Sequence, residues 1–315
     1  MKQVIKIGTR ESQLAVWQAT LVKNLLKEKG FDSELVYIKS EGDINTTTPL
    51  YELGVQGIFT KTLDAALLDK RIDIAVHSMK DVPTQMAYGL QLAAVLKRAS
   101  FKDVLIFKGE RKRIEDHLSG NKNSDNSSFT VATSSIRRKA QWLNRFPSDK
   151  LENLRGNVNT RLRKIEENDW DGAIFAAAGV ERINLRPENS IDLDWMLPAP
   201  AQGAIAVACR NEDEFNFNAV HLLNDELTSI CTKCERDFLR TLSGGCSTPI
   251  SALAVIENDR LIFKGNLCSP DGKEKLEVTK EVAPEDANNV GIFAAKEILV
   301  NEAARRIISE IKNGK

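Results

Sequence analysis

The 315-residue sequence lacks the features that define several large classes of protein. No apolar run approaches the roughly 20 residues of a membrane-spanning helix, and the opening segment, which reads as a β-strand, has no apolar signal core. Lysines and arginines total 44, as do aspartates and glutamates. With no overall charge to attract nucleic acid or an anionic membrane, we expect neither as a partner, and any attraction for anions must be local.

Cysteine is also scarce. Five cysteines, an odd number spread along the chain, argue against a disulfide framework and favour the reducing cytoplasm. Cys231 and Cys234 form a CxxC, but no second CxxC or nearby histidine completes a zinc set, so we predict no metal. A P-loop and a Ser-His-Asp spacing are absent as well. The length allows two or three globular domains.

One cysteine stands in a distinctive setting. Cys246 follows two glycines and precedes Pro249 by three residues in the segment LSGGCSTPI (residues 242–250). Glycine permits tight turns and proline stiffens the exit, so the thiol is predicted on a shaped loop. From these residues alone it could be a packing residue, a nucleophile, a metal ligand or a covalent anchor.

Arginine recurs where predicted strands run into predicted helices. The arginines at these three turns are Arg10, the pair Arg137 and Arg138, and the pair Arg155 and Arg161. Cations in the first helical turn are disfavoured by about 0.3–1 kcal/mol, and helix N-termini bind anions. The guanidinium fork matches carboxylate or phosphate. The pattern predicts a cleft for a ligand with many such groups, although Ser12 could simply be an N-cap.

A carboxylate is predicted at the end of a buried strand. Residues 72–76 read as that strand and lead into HSMKDVP (residues 77–83), at the edge where open α/β sheets bind ligands. Asp81 beside Lys80 could be a solvated ion pair of little value. The apolar strand before it favours a partly buried, working carboxylate, whereas His77 is more typical of a hydrogen-bonded structural residue.

The remaining pattern gives a coarse secondary structure. We predict a helix with Leu14, Trp17, Leu21 and Leu25 on one face, a buried strand over residues 172–179 and a helix over residues 223–242. Residues 119–128 read as a mobile surface loop. From residue 251 the pattern predicts an antiparallel sheet closed by one long helix through residues 295–311, a small α+β unit.

Six motifs, in order and over essentially the whole length, resemble the porphobilinogen deaminase (hydroxymethylbilane synthase) family. They are GTRES (residues 8–12), HSMKDVP (77–83), TSSIRR (133–138), LRGNV (154–158) with Thr160 and Arg161, Gln202 with Gly203, and LSGGC (242–246) with Pro249 and Ile250. HSMKDVP together with GGC is the most specific part of this resemblance. Gln56 departs from the family, which usually has a lysine there, and Lys61 is the nearest candidate to replace that cation.

The resemblance implies a transferase of tetrapyrrole (haem) biosynthesis. It would join four porphobilinogen molecules head to tail onto a dipyrromethane cofactor, held by a thioether to Cys246, with loss of ammonia and final release of hydroxymethylbilane by water. Asp81 would be catalytic, pairing with pyrrole N–H groups, stabilising positive charge and moving protons. The implied cofactor-binding residues are Cys246, Lys80, Asp81, Thr133, Ser134, Ser135, Arg137, Arg138, Arg155, Gly156 and Ser12. The implied substrate-binding residues are Arg10, Ser12, Phe59, Arg155, Arg161 and Gln202.

The implied fold is α/β, with two doubly wound domains of the periplasmic-binding-protein type (type II) around a cleft and a small C-terminal α+β domain with a three-stranded antiparallel sheet. The expected domains are residues 1–98 with 204–222, residues 99–203, and residues 223–315, in a cytoplasmic monomer that moves at a hinge. Two alternatives remain: a polyanion-binding protein with the same cleft and no catalysis, and a cysteine hydrolase that uses His77.

Overall fold

The computed structural model describes residues 3–39, 60–120, 128–244 and 248–312. Its strands are β1 (Ile5–Thr9), β2 (Ser33–Tyr37), β3 (Ile74–Ser78), β4 (Leu90–Val95), β5 (Asp103–Phe107), β6 (Thr130–Ala132), β7 (Lys150–Glu152), β8 (Gly172–Ala176), β9 (Ser190–Asp192), β10 (Ile205–Arg210), β11 (Ile250–Glu257), β12 (Arg260–Cys268) and β13 (Lys275–Val282). Its α-helices are α1 (Gln13–Glu28), α2 (Lys61–Leu68), α3 (Arg111–Ser119), α4 (Ile136–Arg145), α5 (Val158–Glu167), α6 (Ala177–Glu181), α7 (Glu214–His221), α8 (Glu226–Thr241), α9 (Val290–Val300) and α10 (Glu302–Lys312).

Two five-stranded sheets share one strand pattern. The first sheet has the order β2-β1-β3-β10-β4 and the second has the order β7-β6-β8-β5-β9. In each, three neighbouring strands are parallel and one strand, β10 or β5, runs antiparallel to its two neighbours. We call the first sheet with α1, α2 and α7 the first lobe, and the second sheet with α3 to α6 the second lobe. The domain limits stay a prediction.

The chain crosses between the lobes twice, and the two crossing segments run side by side. The amide of Leu96 donates to the carbonyl of Ile205 at 2.9 Å, and that of Ala99 donates to the carbonyl of Gly203 at 3.1 Å. Gly203 has φ +88°, and a Cβ atom there would lie 2.6 Å from the carbonyl oxygen of Ser100. No side chain fits at this position, so glycine lets the crossings touch.

The C-terminal unit is a separate three-stranded antiparallel sheet in the order β11-β12-β13. Helices α8, α9 and α10 cover it, and its core centres on Phe238 and Phe263, whose ring centroids are 5.3 Å apart. A Cβ atom on Gly265 would lie 2.7 Å from the Phe238 ring. The predicted antiparallel unit is therefore present, and α8 connects its core to the first lobe and to the segments that cross between the lobes.

The core-facing side of helix α1 agrees with the predicted face only in part: Leu21 and Leu25 pack against the first-lobe core, whereas Leu14 and Trp17 lie toward the second lobe. The buried residues of α1 are Ala15, Gln18, Ala19, Val22 and Leu26. Trp17 is 37% exposed, and the guanidinium of Arg182 in the second lobe lies 5.6 Å from its ring centroid. Apolar residues on this helix therefore serve two surfaces, the first-lobe core and the facing lobe.

Other expectations need correction in detail. The strand predicted over residues 172–179 ends at Ala176, where α6 begins. The single closing helix is two helices, because Asn301 is extended (ψ 132°) and its Oδ1 accepts from the amide of Ala303 at 2.8 Å. Helices α3 and α7 were not predicted. Of the predicted loop over residues 119–128, Ser119 belongs to α3 and residues 121–127 lie outside the described residues. Within the described ranges, no helix is both long and apolar enough to cross a bilayer.

Candidate active site

Asp81 lies where β3 leaves the first sheet. A single 3-10 turn, Met79–Asp81, follows the strand. The amide of Met79 donates to the carbonyl of Ala204 at 3.0 Å, and the amide of Val82 closes the turn on the carbonyl of Met79 at 3.1 Å. Asp81 is partly buried, as predicted, and the turn is fixed to the start of β10.

Lys80, in the same turn, faces the second crossing segment. Its Nζ donates to Oε1 of Gln202 at 3.3 Å. Burial lowers the pKa of Lys80 to about 8, with the charges of Arg138 and Arg137 acting in the same direction and Asp81 and Asp103 opposing. The pairing of Lys80 with Asp81 is thus one part of a larger charge cluster, so the reading as an isolated solvated ion pair is wrong.

Asp103, a residue that the sequence did not single out, lies at the centre of this cluster. It opens β5 and is completely buried. Arg138 donates to its Oδ1 from Nη2 at 2.7 Å and from Nε at 3.1 Å, and Nη1 of Arg137 lies 2.7 Å from its Oδ2. Burial opposes the charge of Asp103, yet the two arginines outweigh burial and hold its pKa well below the usual range. A charged residue at the start of an apolar strand was the available signal.

Arg137 and Arg138 are buried and fixed in place. Arg137 is 4% exposed and Arg138 is 5% exposed, so neither belongs to a solvated helix face. Both also donate to backbone carbonyls: Nη1 of Arg137, which lies near Asp103, donates to the carbonyl of Leu197 at 2.6 Å, and Nη1 of Arg138 donates to that of Ile174 at 2.8 Å. The sequence predicted an anion near the start of α4, and one such anion is a side chain of the protein itself, the carboxylate of Asp103.

Gln202 joins the two lobes at this point. Its Nε2 donates to Oδ1 of Asp103 at 2.9 Å and to the carbonyl of Phe101 at 2.8 Å, while its Oε1 accepts from Lys80. The side chain is buried. The Gln202 side chain therefore joins Lys80, in the Asp81 turn of the first lobe, to Asp103 of the second lobe by hydrogen bonds.

The predicted hydroxyl cluster at the start of α4 makes mostly structural contacts. Ser134 Oγ contacts the Asn153 side chain at 2.6 Å and the carbonyl of Leu154, and it accepts from the Leu154 amide at 3.0 Å. Thr133 Oγ1 accepts from the amide of Ser135 at 3.2 Å. These bonds hold the ends of β6 and of the following loop together. Their contacts with a cofactor stay a prediction.

Arg155 and Arg161 bring further positive charge to the same place. Burial lowers the pKa of Arg155. Burial also lowers the pKa of Arg161 to about 10, with Arg138 and Arg155 adding to the effect and Asp81 opposing it. Nε of Arg161 donates to the carbonyl of Gly156 at 2.7 Å. Gly156 has φ +114°, a conformation that favours glycine.

Ser12 lies at the start of α1. Ser12 is the N-cap, and its Oγ accepts from the amide of Ala15 at 3.4 Å, so the capping alternative is observed. Its role toward a ligand stays a prediction.

Burial, and then the charge of Arg10, lowers the pKa of His77 to about 4. His77 is thus a weak base at neutral pH, which disfavours the hydrolase alternative.

Three positions discussed from the sequence lie outside the described residues: Cys246, Phe59 and Gln56. The CxxC is placed, and burial raises the pKa of Cys231 to about 12 and that of Cys234 to about 11, so both thiols are poor nucleophiles. In the part of the chain that the structure covers, no group of His, Cys, Asp and Glu side chains is arranged to hold a metal ion.

The site as a whole is a crowded cluster of cations. Lys80, Arg137, Arg138, Arg155 and Arg161 approach one another, and the carboxylates that act on them are Asp81 and Asp103. Several of the cations lower one another's pKa values. Such crowding is unfavourable unless a polyanion relieves it. The arrangement can bind several carboxylates beside one partly buried acid.

Comparison with known proteins agrees with this arrangement. Residues 5–217 match the family model described as porphobilinogen deaminase, dipyromethane cofactor binding domain, and residues 229–300 match the C-terminal domain of the same family. A porphobilinogen deaminase of Chlorobium phaeobacteroides is 38% identical over 99% of this chain and 99% of its own length, and one of Pelotomaculum thermopropionicum is 41% identical over 95% and 94%. Among solved structures, an ancestral cationic amino acid solute binding protein is 14% identical, with a TM-score of 0.43 over 70% of this chain and 87% of its own. The chain belongs to the porphobilinogen deaminase family, as its six motifs implied.

Proposed function

We propose that this chain joins four porphobilinogen molecules head to tail, with loss of one ammonia each, and then releases hydroxymethylbilane by hydrolysis. The observation that carries the proposal is the buried cation cluster beside Asp81. Each pyrrole ring of the substrate bears an acetate and a propionate, so a growing chain is a polycarboxylate. Arg137, Arg138, Arg155 and Arg161, with Lys80, would neutralise those groups.

The same cluster fits a dipyrromethane cofactor. Two pyrrole rings bring four carboxylates, which would relieve the mutual repulsion that adds to burial in lowering the pKa values of Lys80 and Arg161. We propose Cys246 as the attachment point, with Ser12, Thr133, Ser134, Ser135 and Gly156 near the ring substituents. Once attached, the cofactor would supply the α-free pyrrole carbon to which the first substrate is added.

Asp81 is proposed as the acid–base group. Its carboxylate acts electrostatically on Lys80 and on Arg161, where it opposes the fall in the pKa of each cation. From there it can accept hydrogen bonds from pyrrole N–H groups and stabilise positive charge that develops as ammonia leaves. It can also receive and return a proton at a neighbouring ring carbon. Arg10, Phe59 and Gln202 are proposed to line the substrate side.

We also propose that the enzyme acts as a cytoplasmic monomer. The four cysteines among the described residues, Cys209, Cys231, Cys234 and Cys268, are buried free thiols, as a reducing compartment favours. Light scattering of the purified protein at several concentrations tests the monomer, since a mass that doubles with concentration would contradict it.

Intact mass spectrometry of the denatured protein tests the proposed function most directly. Protein from a host that makes porphobilinogen should carry a covalent adduct of two pyrrole units, and it should release ammonia from porphobilinogen. The adduct should be absent from Cys246→Ser and present in Cys234→Ala, the matched control. A polyanion-binding protein would instead show an unmodified mass and bind hydroxymethylbilane without releasing ammonia.

A further inference from the structure

An arginine of the C-terminal unit lies directly behind the Asp81 turn. Arg236, on α8, donates from Nη1 to the carbonyl of Val82 at 2.8 Å and from Nη2 to the carbonyl of Pro83 at 2.6 Å. Nη1 also lies 3.5 Å from the carbonyl of Met79. One guanidinium therefore spans both ends of the turn that carries Asp81.

Two of these carbonyls, those of Val82 and Pro83, follow directly after the 3-10 turn and lie outside its hydrogen bond, which joins the amide of Val82 to the carbonyl of Met79. Backbone groups at the end of a helical turn that have no intrahelical partner take one from elsewhere. A charged donor makes a stronger hydrogen bond to a carbonyl than a neutral one does. Arg236 therefore supplies a large part of what holds the far side of the turn, opposite the bond from Met79 to Ala204.

Glu235, the residue before Arg236 on α8, is held in place by several hydrogen bonds. Glu235 is fully buried, and its carboxylate accepts two bonds from Arg98, at 2.6 and 3.1 Å. It also accepts from the amides of Ala201 at 2.6 Å and Ala254 at 2.7 Å. Because consecutive helical residues point about 100° apart, Glu235 faces the lobe crossings while Arg236 faces the turn.

We propose that Arg236 is a positioning residue: it ties the Asp81 turn to the C-terminal unit, so that docking of α8 sets where the Asp81 carboxylate stands between the lobes. The proposal rests on the proposed function where it concerns catalysis. Helix α8 continues to Thr241, five residues before Cys246 in the sequence. Helix α8 thus carries Arg236, which holds the Asp81 turn, and leads in the sequence to the segment proposed to carry the cofactor.

Kinetics of the holoenzyme form the first test. Arg236→Met should lower kcat by about 10²-fold, the cost of an ångström-scale misplacement, and leave KM within about threefold. Arg236→Lys, which keeps a cation, should recover about tenfold of that loss because one bond can re-form. The matched control is Arg240→Met, one turn further on α8, where the side chain is 56% exposed and pairs with Asp237; its kcat should stay unchanged. Equal kcat values for Arg236→Met and Arg240→Met would overturn the proposal.

A double-mutant cycle separates positioning of Asp81 from a general effect on folding. If Arg236 acts through Asp81, then Arg236→Met should cost less than about threefold in an Asp81→Glu background, where the acid is already displaced. A loss of about 10²-fold in both backgrounds would mean that Arg236 acts elsewhere and would refute the positioning role.

Hydrogen–deuterium exchange gives a readout that needs no activity. Peptides covering residues 78–84 should exchange faster in Arg236→Met than in the wild type or Arg240→Met, while peptides of β12 should not change. Unchanged exchange at residues 78–84 would overturn the proposal whatever the kinetics. If the wild type released no ammonia, the proposed function would fail, yet the exchange result would still decide whether Arg236 holds the turn.

Discussion

The two lobes have the same strand order but supply different groups to the site. In both sheets the antiparallel strand, β10 or β5, begins just after a crossing between lobes. The second lobe starts its strand with a carboxylate, Asp103, and surrounds it with arginines, whereas the first lobe precedes its strand with the amide of Gln202 and supplies Asp81. The segment before β10 and the first residue of β5 thus meet beside the crossings, where Nε2 of Gln202 donates to Oδ1 of Asp103 at 2.9 Å. The repeated fold carries an asymmetric site because the second lobe supplies the four arginines of the cluster, whereas the first lobe supplies a single cation of it, Lys80.

The sharpest test of this asymmetry removes the acid of the first lobe. Asp81→Asn should lower ammonia release by about 10³-fold, which is about 4 kcal/mol of barrier, because an amide can neither accept the proton nor balance the positive charge. The unfolding midpoint should stay close to that of the wild type. Asp69→Asn, an exposed carboxylate in the same lobe, is the control and should keep full activity. Near-normal turnover in Asp81→Asn would remove this residue from the mechanism.

Removing the acid of the second lobe should instead affect stability. Asp103→Asn leaves Arg137 and Arg138 buried without their anion, so the free energy of unfolding should fall by about 3 kcal/mol, measured by urea denaturation. In Asp194→Asn the lost carboxylate is 73% exposed and pairs with Lys102, so the change should stay under about 1 kcal/mol. Similar losses in the two variants would show that Asp103 is not the hub of this lobe.

The cation that the first lobe adds to the cluster should carry a stability cost. Burial lowers the pKa of Lys80 from 10.5 to about 8, so the unfolded chain binds this proton more tightly than the folded chain. The cost is complete below pH 8 and fades as the pH rises toward 10.5. In a Cys246→Ser background, without cofactor, Lys80→Met should therefore raise the unfolding free energy at pH 7 by about 1–2 kcal/mol, and this gain should shrink above pH 8. Lys97→Met, at an exposed position, should show no such trend.

The smallest expected difference compares the serines that begin α1 and α4. Ser12 caps α1 with its side chain, whereas Ser135 makes no such bond at α4. Ser12→Ala should cost about 0.5–1 kcal/mol of stability, and Ser135→Ala should cost less. If Ser135→Ala proved the more destabilising, the two helix starts would not differ in the way described.

The sequence predicted the architecture well because the signals were local. Buried strands such as Ile74–Ser78 are apolar runs, and each leads into a turn with distinctive residues, so the strand ends that form the site could be identified. The family resemblance then supplied the arrangement of lobes, which no local pattern contains. The structure confirms the two mixed α/β sheets and the three-stranded antiparallel C-terminal sheet, and the comparisons confirm the family.

What the sequence did not reveal depends on contacts between distant segments. Asp103 and Arg138 are 35 residues apart, and nothing near either residue announces that pairing. The buried face of α1 was partly misassigned because Leu14 and Trp17 satisfy the apolar period while lying toward the second lobe. Asn301 splits the closing helix although the apolar period of four continues through it, since a capping side chain can interrupt a helix without changing that period.

The late insertion of β10 also has a consequence for how the chain is made. The second sheet has all five of its strands once residue 192 has been synthesised, but β3 and β4 of the first sheet are joined only through β10, at residues 205–210. A nascent chain that emerges from the ribosome must therefore carry an incomplete N-terminal sheet while the lobe made after it is already able to close. The first lobe is translated first but its sheet is completed second. Until β10 has been synthesised, the unpaired edges of β3 and β4 are open to aggregation unless a chaperone covers them or synthesis of β10 follows quickly.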